Sequence, residues 1–243
     1  MKRTFLTLIL AVLATATISA QQNVVQNKEL DSFSSVIVGG KFSFKLKTSP
    51  TYSVRIVSDE RIADFVRPTV KNGVFTIILD EKKYPAELKK ALKAKGAVEP
   101  YLEVEIYAPY IKSLDVKEKA VLLDADGIKV DNFSLVTSGN AKVNSLYIDC
   151  VSAELDFGGG SQSNVTVDVD TKLRLSAENT SVNNVNQKGG NSELKVKGSS
   201  TTNLKVETVG VDIEAAGGSN VYISGIASLL DVESAGSSMI DAE

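Results

Sequence analysis

The chain has 243 residues with 27 basic and 30 acidic side chains, no histidine, no tryptophan and one cysteine. Without histidine neither a Ser-His-Asp triad nor an imidazole-held transition metal is available, and a single cysteine excludes an internal disulfide. Setting Lys2 and Arg3 aside leaves 25 basic against 30 acidic residues, so the concentrated basic face that a nucleic-acid partner needs is missing.

The first predicted element is a targeting segment over residues 1–20. Lys2 and Arg3 precede an apolar run from Phe5 to Ala14, and the small pair Ser19 and Ala20 closes it. The run is shorter than the roughly 20 apolar residues a bilayer core requires, and no later stretch reaches that length, so the mature chain is expected to carry no transmembrane segment. Gln21, not a cysteine, follows the expected cut, which gives a lipid anchor no support. Export places the mature protein in the periplasm or on the cell surface of a bacterium.

Residues 21–110 read as an N-terminal β section. Strands are expected over Phe33–Val38, Phe42–Leu46, Tyr52–Val57, Val74–Leu79 and Leu102–Ile106, with Asn72-Gly73 as a hairpin turn after Val70. Between the last two, Pro85 to Lys95 has helical spacing at Leu88, Ala91 and Leu92 and stops at Gly96, which predicts a short helix. Lys82, Lys83, Lys89, Lys90 and Lys93 give this segment a basic face, read as a solvated helix over a sheet edge or as a point of attraction for an anionic surface.

Residues 111–243 repeat. Leu135, Leu155, Leu175, Leu194, Ile213 and Val232 recur at intervals of 20, 20, 19, 19 and 19, each followed four residues later by a turn of small residues: Gly139, Gly159, Asn179, Gly198, Gly217 and Gly236. A second apolar column, Val165, Val185, Leu204 and Ile223, runs beyond the turns. Apolar and polar residues alternate within each repeat, as strands with one buried face require. One repeat of about 20 residues cannot bury that face alone, whereas copies stacked at the strand spacing of roughly 4.8 Å share a continuous core. The expected fold is all-β, a right-handed parallel β-helix with two strands in each rung of 19–20 residues, and a hairpin sandwich is the competitor. Counting back, Leu114 and Val116 lie 19 before Phe133 and Leu135, which starts the stack near Ile111. The last rung, after Ser238, is incomplete, and such an open end invites a homodimer.

At this level the sequence resembles the auto-transporter adhesin head GIN domain family. The resemblance rests on Phe33-Ser34-Ser35-Val36, Tyr52-Ser53-Val54-Arg55-Ile56, Tyr107-Ala108-Pro109 with Ile111-Lys112-Ser113-Leu114, and the turns Ser138-Gly139, Gly218-Ser219 and Gly236-Ser237. It implies a β-helix-like fold and export, and it implies little about activity. No membrane-barrel segment is read, so self-transport across an outer membrane is not expected.

Candidate chemistry lies on outward columns of the stack. Ser134, Glu154, Arg174, Glu193, Asp212 and Asp231 fall one per repeat, and Glu154, Arg174 and Glu193 read as an ion-pair ladder worth about 0–1 kcal/mol per pair. Below them Asp212, Glu214, Asp231 and Glu233 bring four carboxylates together, which suits calcium if any cation binds; the alternative is an acidic, solubilising face. Arg174 beside Glu154 and Asp156 is the nearest approach to a carbohydrate-cleaving set, but such chemistry needs two carboxylates across a cleft. Tyr101, Tyr107 and Tyr110 gather at the junction of the two halves as packing groups or a ligand groove, Phe133 and Phe157 read as core, and Cys150 as a small buried side chain. The function expected is non-catalytic binding or adhesion to an envelope or cell-surface ligand, protein or glycan, without a cofactor. A calcium-dependent binding module and a carbohydrate-active β-helix enzyme are the alternatives.

Overall fold

A computed structural model describes residues 22–79 and 81–243; the expected targeting segment lies outside the described residues. The strands are β1 (Asn23–Glu29), β2 (Ser35–Gly39), β3 (Ser43–Thr48), β4 (Ser53–Asp59), β5 (Thr69–Lys71) and β6 (Val74–Ile78), with a 3-10 turn over Glu60–Phe65. After helix α1 (Ala86–Leu92) come β7 (Leu102–Ala108), β8 (Ser113–Val116), β9 (Val121–Ala125), β10 (Ile128–Thr137), β11 (Lys142–Phe157) and β12 (Gln162–Ala177). The chain closes with β13 (Val182–Lys188), β14 (Asn191–Val196), β15 (Thr201–Ala215), β16 (Asn220–Ser234) and β17 (Met239–Ala242).

The repeats form an all-β solenoid of about six turns. Leu135, Leu155, Leu175, Leu194, Ile213 and Val232 stand side by side on successive parallel strands. Val165, Val185, Leu204 and Ile223 do the same in the second ladder. Two ladders of side chains therefore face one interior, and Leu135, Leu155 and Ile213 are fully buried there. Each such burial contributes about 1.5–3 kcal/mol, which makes the stack of rungs, and not any single rung, the stable unit.

The parallel ladder continues above Ser113. Val36 of β2 lies beside Leu114 of β8, Phe75 of β6 lies beside Val36, and β3 is likewise flanked by β7 and β9. The chain thus lays down β2 and β3, crosses to the far side for β6 and β7, and returns beneath β2 and β3 with β8 and β9. Antiparallel strands close the far side: β4 on β7, β1 on β4, and β5 on β6. The Asn72-Gly73 hairpin is present, with both residues at positive φ (51° and 73°) as its twist demands. The helix is one turn shorter than its spacing predicts, Ala86–Leu92, with Pro85 at its N-cap.

One expected register is corrected. Leu114 lies beside Leu135, not Phe133, so the first repeat is 21 residues long and not 19. Val121 and Leu122 keep the same offset of 21 against Lys142 and Val143, so the additional length falls beyond Leu122 and not in the turn after β8. A shift of two leaves every side chain on its own face, so alternation alone cannot detect it. Strand β1 went unpredicted because it is an exposed edge with little apolar alternation.

The turns explain the small residues that punctuate the repeats. Gly139, Gly159, Asn179, Gly198, Gly217 and Gly236 all hold positive φ, and Glu118 continues the column upward at 61°. At Gly159 a Cβ would lie 2.5 Å from the Gly139 carbonyl oxygen of the neighbouring rung. Stacking as well as backbone conformation therefore selects glycine there. Two residues on, Ser161, Ser181, Ser200 and Ser219 are completely buried. The last two hydroxyls donate to the Ala177 and Val196 carbonyls, each at 3.2 Å, tying the end of one strand to the turn of another rung.

Candidate functional site

The outward side of the second ladder carries a column that composition does not announce. Asn164, Asn184, Asn203 and Tyr222 occupy equivalent positions on β12, β13, β15 and β16. The Asn184 amide donates to the Asn164 side-chain oxygen at 2.7 Å, and the Asn203 amide donates to the Asn184 oxygen at 2.8 Å. Asn164 in turn donates to the Asn144 carbonyl at 3.2 Å. An amide has two donors and an acceptor with two lone pairs, so each asparagine keeps hydrogen-bonding capacity toward solvent after this ladder is made. The parallel column on the same face is Thr166, Asn186, Lys205 and Ser224. At the lower end, Asn184, Asn203, Lys205, Tyr222 and Asp241 line a shallow groove of about 330 Å³. Tyr222 is 38% exposed there.

The carboxylates expected to gather on the other ladder are placed in register, with Asp212 beside Asp231 and Glu214 beside Glu233. Glu214 is held by Lys195 at 3.1 Å. Among the described residues no three His, Cys, Asp or Glu side chains converge closely enough to hold a metal ion. In the column above, Arg174 meets Glu193 at 3.5 Å, and the Lys172 ammonium also pairs with Glu193. Lys172 holds the Glu193 carboxyl below the usual glutamate value. Asp156 moves the other way, pushed above the usual aspartate value by burial and then by the charges of Glu154 and Glu178. A carbohydrate-cleaving pair needs such a shifted carboxyl facing a second one across a gap. Glu154 and Asp156 instead stand two residues apart on the outward face of the same strand.

The tyrosines of the N-terminal half do not form one cluster of rings. The Tyr101 hydroxyl bonds Glu103, the Tyr107 hydroxyl donates to Glu105 at 3.1 Å, and the Tyr110 ring lies 5.7 Å from the Lys112 ammonium. Glu103 and Glu105 belong to a charge network with Lys45 (2.8 Å to Glu103, 3.7 Å to Glu105) and Arg55 (3.5 Å to Glu105) that laces β3, β7 and β4 together. Phe133 and Phe157 are buried, at 3% and 1% exposure.

With the ladders and their outward columns in place, the chain can be set beside known proteins. A family model described as "Putative auto-transporter adhesin, head GIN domain" matches residues 32–186 and again 160–243. The chain belongs to this family. Solved structures similar to this head GIN protein include three proteins described as putative adhesins. One from Bacteroides fragilis NCTC 9343 has a TM-score of 0.67 at 15% identity, covering 92% of this chain and 98% of the other. One from Parabacteroides distasonis ATCC 8503 has 0.62 at 12%, covering 90% and 97%. One from Parabacteroides merdae ATCC 43184 has 0.58 at 14%, covering 91% and 96%. No curated protein matches the sequence.

Family membership points to an adhesion-like, non-enzymatic role at a surface or exported location. Among the described residues no helix of this head GIN protein is long and apolar enough to cross a membrane. Its one cysteine, Cys150, is buried, and burial pushes the thiol up to about 11, which disfavours the thiolate form at neutral pH. The asparagine column was the feature most easily missed in the sequence. Asn164, Asn184 and Asn203 share the 20- and 19-residue spacing of the leucine column, but polar residues at outward positions are ordinary, and only the side-chain bonds distinguish a ladder from a scatter.

Proposed function

We propose that this chain is an exported, non-catalytic adhesion protein whose contact face is the asparagine ladder with Tyr222 at its foot, and that the face takes a neutral, hydroxyl-rich ligand such as a glycan. The observation that carries the reading is the pair of amide-to-amide bonds at 2.7 and 2.8 Å that fix three asparagines at rung spacing on an outward face. Fixed amides offer paired donors and acceptors to sugar hydroxyls without losing much side-chain entropy on binding. The Tyr222 ring adds an apolar platform with a polar tip. Family membership and the adhesin-like neighbours support the class of function, and this column supplies a place for it.

The test is a glycan array of neutral oligosaccharides probed with the labelled mature chain, followed by calorimetry on the best binder. Tyr222→Ala and Asn184→Ala should each weaken binding at least about tenfold, the size of one to two lost contacts, while far-UV circular dichroism stays unchanged. Absence of binding to every neutral glycan, or binding indifferent to both substitutions, would remove this reading. Protease shaving of intact cells decides the location separately: loss of the chain while a periplasmic marker stays protected fits surface adhesion, and full protection would leave a periplasmic envelope-binding role.

A further inference from the structure

A second concave site lies in the N-terminal half, where α1 leans over the sheet. It has a volume of about 400 Å³, within the range of roughly 300–1,000 Å³ typical of small-molecule sites. Its floor is apolar: Leu79 and Leu102 are about 95% buried, and Leu92 and Pro100 complete it. Its rim is charged, with lysines 41, 82, 89 and 93 against glutamates 81 and 99. These glutamates engage Lys41, at 3.4 and 3.0 Å. The Lys89 ammonium donates to the Lys82 carbonyl at 2.7 Å, which holds it at the mouth with two further donors available.

The wall carries a second, independent sign of a ligand. Tyr84 lines the groove, is 95% buried, and packs edge-on against Phe65 at 5.1 Å. Its hydroxyl is buried without a hydrogen-bond partner. An orphaned buried hydroxyl is destabilising, and such groups call for an explanation. A polar atom of a bound molecule at the groove wall provides one. Burial, with the charges of Glu81 and Asp59 behind it, pushes the Tyr84 hydroxyl up to about 12, so it stays a proton donor across the physiological range.

We propose that this groove binds a small amphipathic anion, with its apolar body on Leu79, Leu92 and Leu102 and its carboxylate or sulfate head among Lys89, Lys93 and the Tyr84 hydroxyl. The head is assigned by charge complementarity: Lys41 is engaged by both glutamates, and the α1 lysines Lys89 and Lys93 present positive charge at the mouth above the apolar floor. The apolar floor excludes inorganic phosphate or acetate as a sufficient ligand, since neither covers it. The site lies on other strands than the asparagine ladder and stands or falls independently of it.

Dodecanoate, kept below its aggregation concentration, is the probe, titrated calorimetrically into the mature chain beside acetate, the neutral detergent dodecyl maltoside and phosphatidylglycerol vesicles. The expected result is saturable one-to-one binding of dodecanoate, none of acetate, and at least tenfold weaker affinity in Lys89→Glu/Lys93→Glu with an unchanged melting temperature. Tyr84→Phe should weaken dodecanoate more than it weakens dodecyl maltoside, and Leu92→Ser should weaken both. No saturable dodecanoate binding, equal affinity in the Lys89/Lys93 double variant, or capture by vesicles alone would overturn the proposal; the last would mark the helix as a membrane-surface patch instead.

Discussion

The two ends of the stack are built to different rules. At the β6 and β7 end the parallel ladders stop beneath antiparallel strands, a 3-10 turn and a helix. The cover is held by the Asp59–Arg61 pair at 2.6 Å and by Phe65 on Tyr84. At the β16 end, among the described residues, β17 pairs only with Asn220–Ile223. Residues 229–234 are left as a bare edge, and Leu230 and Val232, which occupy core columns, are 49% and 43% exposed. The same repeat thus buries Leu155 completely in mid-stack and half exposes Val232 at the edge. A solenoid position has no fixed energy, because its burial depends on having a rung on either side.

The largest effect that sharpens this contrast is a cavity in mid-stack. Leu155→Ala should lower stability by about 2–5 kcal/mol, whereas Val232→Ala should stay within about 0.5 kcal/mol. Urea midpoints at constant m-value decide it, and equal losses would mean that a rung on either side does not set the energy of the position. Next comes the turn column. Gly73→Ala, with nothing within 4 Å of its Cβ, should cost only the left-handed backbone penalty of about 1–2 kcal/mol. Gly159→Ala should cost more, because its Cβ also meets the neighbouring rung at 2.5 Å.

The bare edge makes a prediction about assembly. Unpaired strand groups beside exposed Leu229 and Leu230 favour pairing of two copies, so light scattering should show a concentration-dependent dimer that Leu230→Lys abolishes. A monomer at every concentration would break this part of the contrast. A smaller effect belongs to the covered end. Lys45, and after it Tyr101, holds the Glu103 carboxyl below the usual value of 4.5. The stabilisation is present above pH 4.5 and is lost as pH falls through the depressed value. Lys45→Met should reduce that acid sensitivity, for about 1 kcal/mol or less at neutral pH, and leave the part that Tyr101 supplies. The smallest effect is kinetic: Cys150 should react with a thiol reagent only as fast as the stack opens, and promptly in urea.

The residues of the repeat carry much of this architecture in plain sight. The leucine column, its 20- and 19-residue spacings and the small residue four places on are local facts, and alternation ties each to a buried or outward face, so stacking into a solenoid follows from the sequence with the family resemblance beside it. The outward column from Ser134 to Asp231 was legible for the same reason. What alternation cannot supply is distance along the stack. The 21-residue first repeat, the placing of β2 between β6 and β8 and of β3 between β7 and β9, and the polar edge strand β1 all leave the faces of side chains unchanged, and only pairing across the sheets fixes them. The binding surfaces depend on tertiary structure still more. The asparagines become a ladder because neighbouring rungs bring their amides to 2.7 and 2.8 Å. Likewise, lysines that read as one basic helical face become the rim of a groove only where α1 closes over Leu79 and Leu102. Which side chains face in follows from alternation alone, because a strand's period is two. Which of them meet depends on the stacking of rungs and on the covered end, because those contacts join residues far apart in the chain.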